Sequence, residues 1–154
     1  MKARLSAAQE QVWRPYIEAS LLLETRLDEN LRDRTGLSLI DYHVLMLLSH
    51  APQQRLRMSD LADRLVFSRS RISYQITSMS KRGLVLREPV PEDGRGYRAV
   101  LTATGADILR SAAPIHAEPV RDLFFSCIHD DEMPYIERVF SRLDQHLRTT
   151  GATS

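Results

Sequence analysis

A mainly helical fold carrying a small β-hairpin is what this sequence predicts, and three observations predict it. Apolar residues recur at helical spacing in six separate stretches, divided by residues suited to helix caps and breaks. Two short Val- and Leu-rich runs, LVLREPV and GYRAVLTAT, flank PEDGRG, as the strands of a hairpin with a long tip do. The 154 residues suffice for one domain or for two small lobes sharing a core.

Taken in order, the first helix runs from about Ala8 to Arg34. Val12, Tyr16, Leu23, Leu27 and Leu31 form its stripe, Ile17, Leu21 and Leu22 widen it, and Gly36 stops it. A face that broad needs a large partner surface. The second helix, about Leu39 to His50, is apolar on most sides and therefore central, and Ala51-Pro52 ends it. Ser59 is expected to cap a short helix, SDLADRL, with the small Ala62 inside. Ser68 caps the next, RSRISYQITSMSKR, and Gly83 stops it in a left-handed conformation. After the hairpin, Thr102 or Thr104 opens a helix of about twenty residues, with a bend expected near Pro114 and Pro119. Asp130 and Asp131 are expected to cap a last helix, with Pro134 in its first turn and a stripe of Ile136, Val139, Phe140, Leu143 and Leu147. The tail TTGATS is expected to fray.

Helix, helix, short helix, turn, helix, two-stranded wing, helix, helix is the order of a winged helix-turn-helix with additional helices. On the fourth helix Ile72, Ile76 and Met79 share one side, the core face. The other side offers Ser70, Tyr74, Thr77 and Lys81, flanked by Arg71, Ser73 and Ser78, and no carboxylate interrupts it. Hydroxyls, one aromatic ring and cations suit a major groove, where hydroxyls and Arg meet base edges and cations hold phosphates. An ordinary solvated helix face mixes Glu with Lys, and this one does not. At the hairpin tip, Asp93-Gly94-Arg95-Gly96 puts one arginine where it would enter the adjacent minor groove.

Charge points the same way. The formal net charge is only +1, yet Arg55 to Arg98 holds ten basic and five acidic residues, and the remainder eleven against fifteen. A basic centre between acidic ends is the footprint of a polyanion partner. Several classes fall away. No apolar run is long enough to span a bilayer, and MKARLSAAQEQVW lacks the apolar core of a secretory signal, so a cytoplasmic location without membrane contact is expected. No Gly-rich phosphate loop, nucleophile elbow or paired-histidine motif marks an enzyme, and no cofactor is expected.

The stretch LADRLVFSRSRISYQITSMSKRGLVLREPVPEDGRGYRAVLTATG resembles the MarR family of bacterial and archaeal regulators. The matching features are the LA-x-x-L short helix, the S-R-S start of the fourth helix, K-R-G-L-V at its end, P-x-D-x-R at the wing and L-T-x-x-G opening the next helix. Gly94 departs from the pattern, since a second charged residue often stands there. The resemblance implies a homodimer whose first, fifth and sixth helices interlock. Residues 1–36 and 103–154 would then form the dimerisation lobe, and 37–102 the DNA-binding lobe. It implies that Arg69 to Gln75 begin the base- and phosphate-contacting helix and that Arg95 is the wing arginine. It also implies a repressor of nearby genes on a palindromic duplex, relieved by a small molecule or an oxidant.

Relatives of this kind often take aromatic acids, for which Trp13, Tyr16, Tyr42 and His43 are the aromatic candidates and Arg14 the carboxylate partner. Core and interface packing is the plainer explanation of those side chains. A redox sensor would rest on Cys127, whose neighbours in FFSCIHDD disfavour the thiolate. A metal sensor would draw on His43, His116, His129 and Asp41, without any ligand spacing to support it. A winged helix that serves only as a protein-interaction module is the remaining alternative.

Overall fold

The computed structural model describes residues 4–91 and 93–150, with the side chains of residues 93–95 outside the description. Among the described residues there are six α-helices and a three-stranded antiparallel sheet. By contacts it divides into two compact units, Met1–Glu118 and Pro119–Ser154.

Helix α1 (Ala7–Thr35) starts at a capping box. Ser6 Oγ accepts from the Gln9 amide, and the Gln9 side chain accepts from the Ser6 amide, so two orphan donors of the first turn are satisfied together. It stops at Gly36, whose φ of +72° is a conformation that side chains with a Cβ rarely adopt. Helix α2 (Leu39–Ser49) begins with a second box, Ser38 with Asp41. Val44, Leu45 and Leu48 on α2 are completely buried, as its apolar character predicted.

A strand not foreseen in the sequence follows a turn at Pro52–Gln54, where Gln53 and Gln54 take left-handed backbone with φ of +54° and +56°. This is β1 (Arg55–Arg57), which pairs with β3 and widens the wing to three strands in the order β1-β3-β2. Its presence moves the next helix boundary. Arg57 stays extended to pair with Arg98, so α3 (Met58–Leu65) begins immediately afterwards, and Ser59 lies inside the first turn, its hydroxyl on Asp60 instead of capping. Ser68 does cap α4 (Arg69–Lys81), accepting from the Arg71 amide at 3.3 Å, and Gly83 takes φ +74° just beyond it.

The wing itself is β2 (Val85–Val90) and β3 (Asp93–Leu101). Strand pairing carries further toward the tip than the turn-rich composition suggested. The register breaks where Pro89 faces Tyr97 and Val90 faces Asp93, leaving residues 94–96 as the surplus on β3. Pro89 has no amide hydrogen for a ladder, which is the physical reason for a bulge there. Arg95 is therefore a bulge residue of a strand, not a loop residue.

Thr102 starts α5 (Ala103–Leu123), accepting from the Gly105 amide at 2.9 Å, and the helix continues through Pro114 and Pro119. In the second unit Glu132, not Asp130 or Asp131, stands at the head of α6 (Met133–Thr150). Its carbonyl takes the first amides of the helix, and its carboxylate accepts from the His129 amide. The last four residues lie outside the described set.

One core unites the first unit. Leu61 from α3, Ile72, Ile76 and Met79 from α4, Leu84 and Val85 at the start of the wing, and Leu31 and Leu37 all join the α2 side chains in it. Each fully buried apolar side chain stabilises by roughly 2 kcal/mol relative to exposure. Three such residues on one stripe are enough to seat α4 firmly. The stripe predicted for α1 behaves differently. Leu31 is buried, but Val12 is 72% exposed and Leu21 and Leu22 are likewise uncovered.

Candidate nucleic-acid interface

Burying Ile72, Ile76 and Met79 forces the opposite side of α4 outward. Ser70, Arg71, Tyr74, Thr77 and Lys81 are all exposed, Tyr74 to 77%. Ser73 is half-buried. Thr77 has turned its hydroxyl hydrogen to the Ser73 carbonyl at 2.8 Å, leaving its oxygen lone pairs outward. Gln75 differs from its neighbours. It is half-buried, and its amide nitrogen donates to Asp41 at 2.6 Å, so that donor is committed inward.

Two arginines are held by aromatic rings. The Arg71 guanidinium carbon lies 3.8 Å from the centre of the Phe67 ring, and that of Arg87 lies 4.1 Å from the Tyr97 ring. A ring face restrains the guanidinium plane and leaves its edge N–H groups for an anion. Across the wing, Arg98 pairs with its register partner Glu88 at 3.1 Å, so this arginine stiffens the hairpin.

These elements converge on a cleft of about 440 Å³ lined by Arg57, Met58, Ser59, Arg69, Ser73, Arg87, Gly96 and Tyr97. Three guanidinium groups and three hydroxyls, with no carboxylate among the described lining residues, suit a phosphate chain. Amides in the first turn of α4 add donors and a partial positive charge on the same side. Of the residues expected from sequence, Arg69 and Ser73 line the cleft, and Ser70, Arg71, Tyr74, Thr77 and Lys81 stand on the exposed helix face. The Arg95 side chain lies outside the described set. Arg57 and Arg87 were missed as site residues. Both were counted in the basic middle segment, but only strand pairing brings them beside α4.

The effector candidates fall into two aromatic groups. Trp13 and Tyr16 on α1 have ring centres 5.6 Å apart, and both are exposed, as is Arg14. Tyr42 is buried, with its ring 4.5 Å from that of His116 and 6.2 Å from that of His43. Burial holds both histidines below the ordinary imidazole value. His43 lowers His116 further by charge repulsion, while Glu24 opposes the shift at His43. Burial also raises the Tyr42 hydroxyl. His116 Nδ1 is buried without a hydrogen-bond partner.

Among the described residues no three His, Cys, Asp or Glu side chains gather as a metal ion requires. Asp41 is bonded to Ser38, Gln75 and Arg82 instead. Cys127 is exposed and its thiol donates to the Phe124 carbonyl at 3.0 Å. No described helix is long and apolar enough to cross a membrane.

A family profile described as the MarR family matches residues 35–96, from the end of α1 into the wing. The chain is 28% identical over 135 residues to the uncharacterized HTH-type transcriptional regulator YkoM of Bacillus subtilis, covering 84% of this chain and 86% of that one. The structure of AbsC, a MarR family transcriptional regulator from Streptomyces coelicolor, matches with a TM-score of 0.87 at 35% identity, over 96% of this chain and 99% of that one. Sco3205, a MarR family transcriptional regulator from the same organism, was solved in complex with DNA. It matches with a TM-score of 0.89, also at 35% identity, over 96% and 92% of the two chains.

Proposed function

The chain belongs to the MarR family and is a DNA-binding transcriptional regulator, and from that premise we propose that it acts as a homodimeric repressor on a palindromic operator, released by a small molecule. The observation that carries the DNA-facing part is the surface formed by α4 and the arginine cleft, which holds no acid among its described residues. Tyr74, Ser70 and Thr77 would meet base edges, and Arg57, Arg69, Arg71, Lys81 and Arg87 phosphates. Arg95 on the wing would enter the flanking minor groove. Binding, not catalysis, is the activity this surface suits, and the chromosome of a bacterial or archaeal cytoplasm is the proposed location.

Support for the dimer comes from uncovered apolar faces. On α1, Val12, Trp13, Leu21 and Leu22 are exposed, and on α6 so are Tyr135, Val139, Phe140 and Leu147. Faces of this kind mark interfaces. Residues 1–36 and 103–154 would supply the dimerisation lobe and 37–102 the reading head. An aromatic acid is the proposed effector class, with the rings of Trp13, Tyr16, Tyr42 and His43 to pack it and Arg14 to pair its carboxylate.

Sedimentation and selection from random duplexes test this together. A dimer at micromolar concentration is expected, with half-sites ~10 bp apart or a multiple of that. Tyr74→Ala should alter preference inside each half-site. Arg95→Ala should weaken binding by about 1–3 kcal/mol and relax preference at the outer flanks. A stable monomer, or an Arg95→Ala protein with unchanged flanks and affinity, refutes the corresponding part.

A further inference from the structure

We propose that Asp41, Gln75 and Arg82 act as positioning residues for DNA reading, fixing the rotation of α4 about its own axis and hence which base edges its outer face meets. Asp41 is 3% exposed and stands in the first turn of α2. Its Oδ1 accepts from Gln75 Nε2 at 2.6 Å. Its Oδ2 accepts from Arg82 Nη1 at 2.7 Å and from the Ser38 amide at 3.0 Å. The other end of the Arg82 fork donates from Nη2 to the Gly36 carbonyl at 3.0 Å, where α1 terminates. One carboxylate and one guanidinium thus tie the end of α1, the head of α2, the middle of α4 at Gln75 and its C-cap at Arg82.

Placement on the helix decides what those ties do. At ~100° per residue, Ile72, Ile76 and Met79 lie within about 60° of one another and bury α4 along a single line. A single apolar stripe resists withdrawal, but rolling about that line alters its contacts gradually. Gln75 and Arg82 are seven residues apart, so they share a flank roughly 60–80° from Ile72. Directional bonds at two heights on one flank stop the roll. The consequence for reading is large. A roll of ~20° carries a tyrosine hydroxyl, ~9 Å from the helix axis, through ~3 Å, farther than a hydrogen bond to a base edge tolerates. With Asp41 buried and the Arg82 side chain 39% exposed, such an ion pair contributes little net stability compared with apolar side chains of the same volume, and directionality is what it adds. None of the three residues needs to touch DNA for this.

The test compares two duplexes of equal length: one recovered by selection with the wild-type protein, the other a scrambled version. Replacing both ends of the ion pair, Asp41→Asn with Arg82→Met, avoids leaving a buried charge alone. Affinity for the selected duplex should fall roughly tenfold or more, while affinity for the scrambled duplex changes by less than about twofold, because the phosphate-binding side chains are untouched. Melting temperature is measured alongside. Arg82→Lys, which keeps the charge and loses the fork, should fall between the two proteins. Equal losses on both duplexes, or none on either, would overturn the proposal. Should the double variant fail to fold, Gln75→Leu removes one tie and keeps the ion pair. It must still lower the ratio of the two affinities, and an unchanged ratio overturns the proposal equally. A wild-type protein that selects no sequence would instead defeat sequence-specific recognition itself.

Discussion

Salt should act on this protein through a countable set of cations, and removing one of them should change the slope by a known amount. The perturbation is Arg69→Ala, which takes one guanidinium from the cleft shared with Arg57 and Arg87. With Arg71 and Lys81 on the exposed face of α4, each head would neutralise on the order of 3–4 phosphates, and a dimer 6–8. Counterion release then gives a slope of log affinity against log salt of roughly −5 to −7, a loss of ~10³–10⁴ between ~50 and ~200 mM. Losing Arg69 from both heads should flatten the slope by about 2, with weakening that is similar across sequences. Fluorescence anisotropy of a labelled duplex, titrated at four salt concentrations with both proteins, reads this directly. A wild-type slope flatter than about −2, or an Arg69→Ala slope equal to the wild-type one, would show that the cleft does not seat phosphates.

Two further outcomes concern the scaffold. A Cβ at Gly105 would lie 2.1 Å from the Leu84 carbonyl oxygen and 3.0 Å from Leu101 Cδ1, so Gly105→Ala must displace backbone where α5 meets the wing. A destabilisation of about 3 kcal/mol, seen as a melting temperature lower by roughly 6–12 °C, is expected, and an unchanged melting curve would contradict that packing. Because burial depresses both His43 and His116, the unfolded chain binds more protons than the folded one below the ordinary value of 6.5. Stability contributed by the neutral rings should be complete above that pH and decline as pH falls through the lowered folded values. Melting followed from pH 7.5 to 5 should show the decline, and His116→Phe should flatten it; equal slopes in the two proteins would remove His116 from the account.

Much of the candidate site was legible in the chain because local rules govern it. Ser68 and Gly83 bracket α4 by capping and by left-handed backbone, both properties of single residues. Ile72, Ile76 and Met79 fall on one side by periodicity alone, and their burial turns Ser70, Tyr74, Thr77 and Lys81 outward. The Gly105 of L-T-x-x-G is likewise a local signature, and the close approach of Leu84 gives its steric reason. What the sequence could not decide depends on partners distant along the chain. Arg55–Arg57 has no strand signal of its own. It is extended because β3 offers it a ladder over forty residues away, and that pairing alone displaced the expected cap at Ser59 and brought Arg57 to the cleft. Gln75 reads as one more polar group on the recognition helix until Asp41, thirty-four residues earlier, draws its amide inward. Periodicity and capping are set by neighbours within a turn or two, so one dimension suffices to see them; strand register and buried polar pairing are set by loop closure between remote segments, which only the folded chain performs.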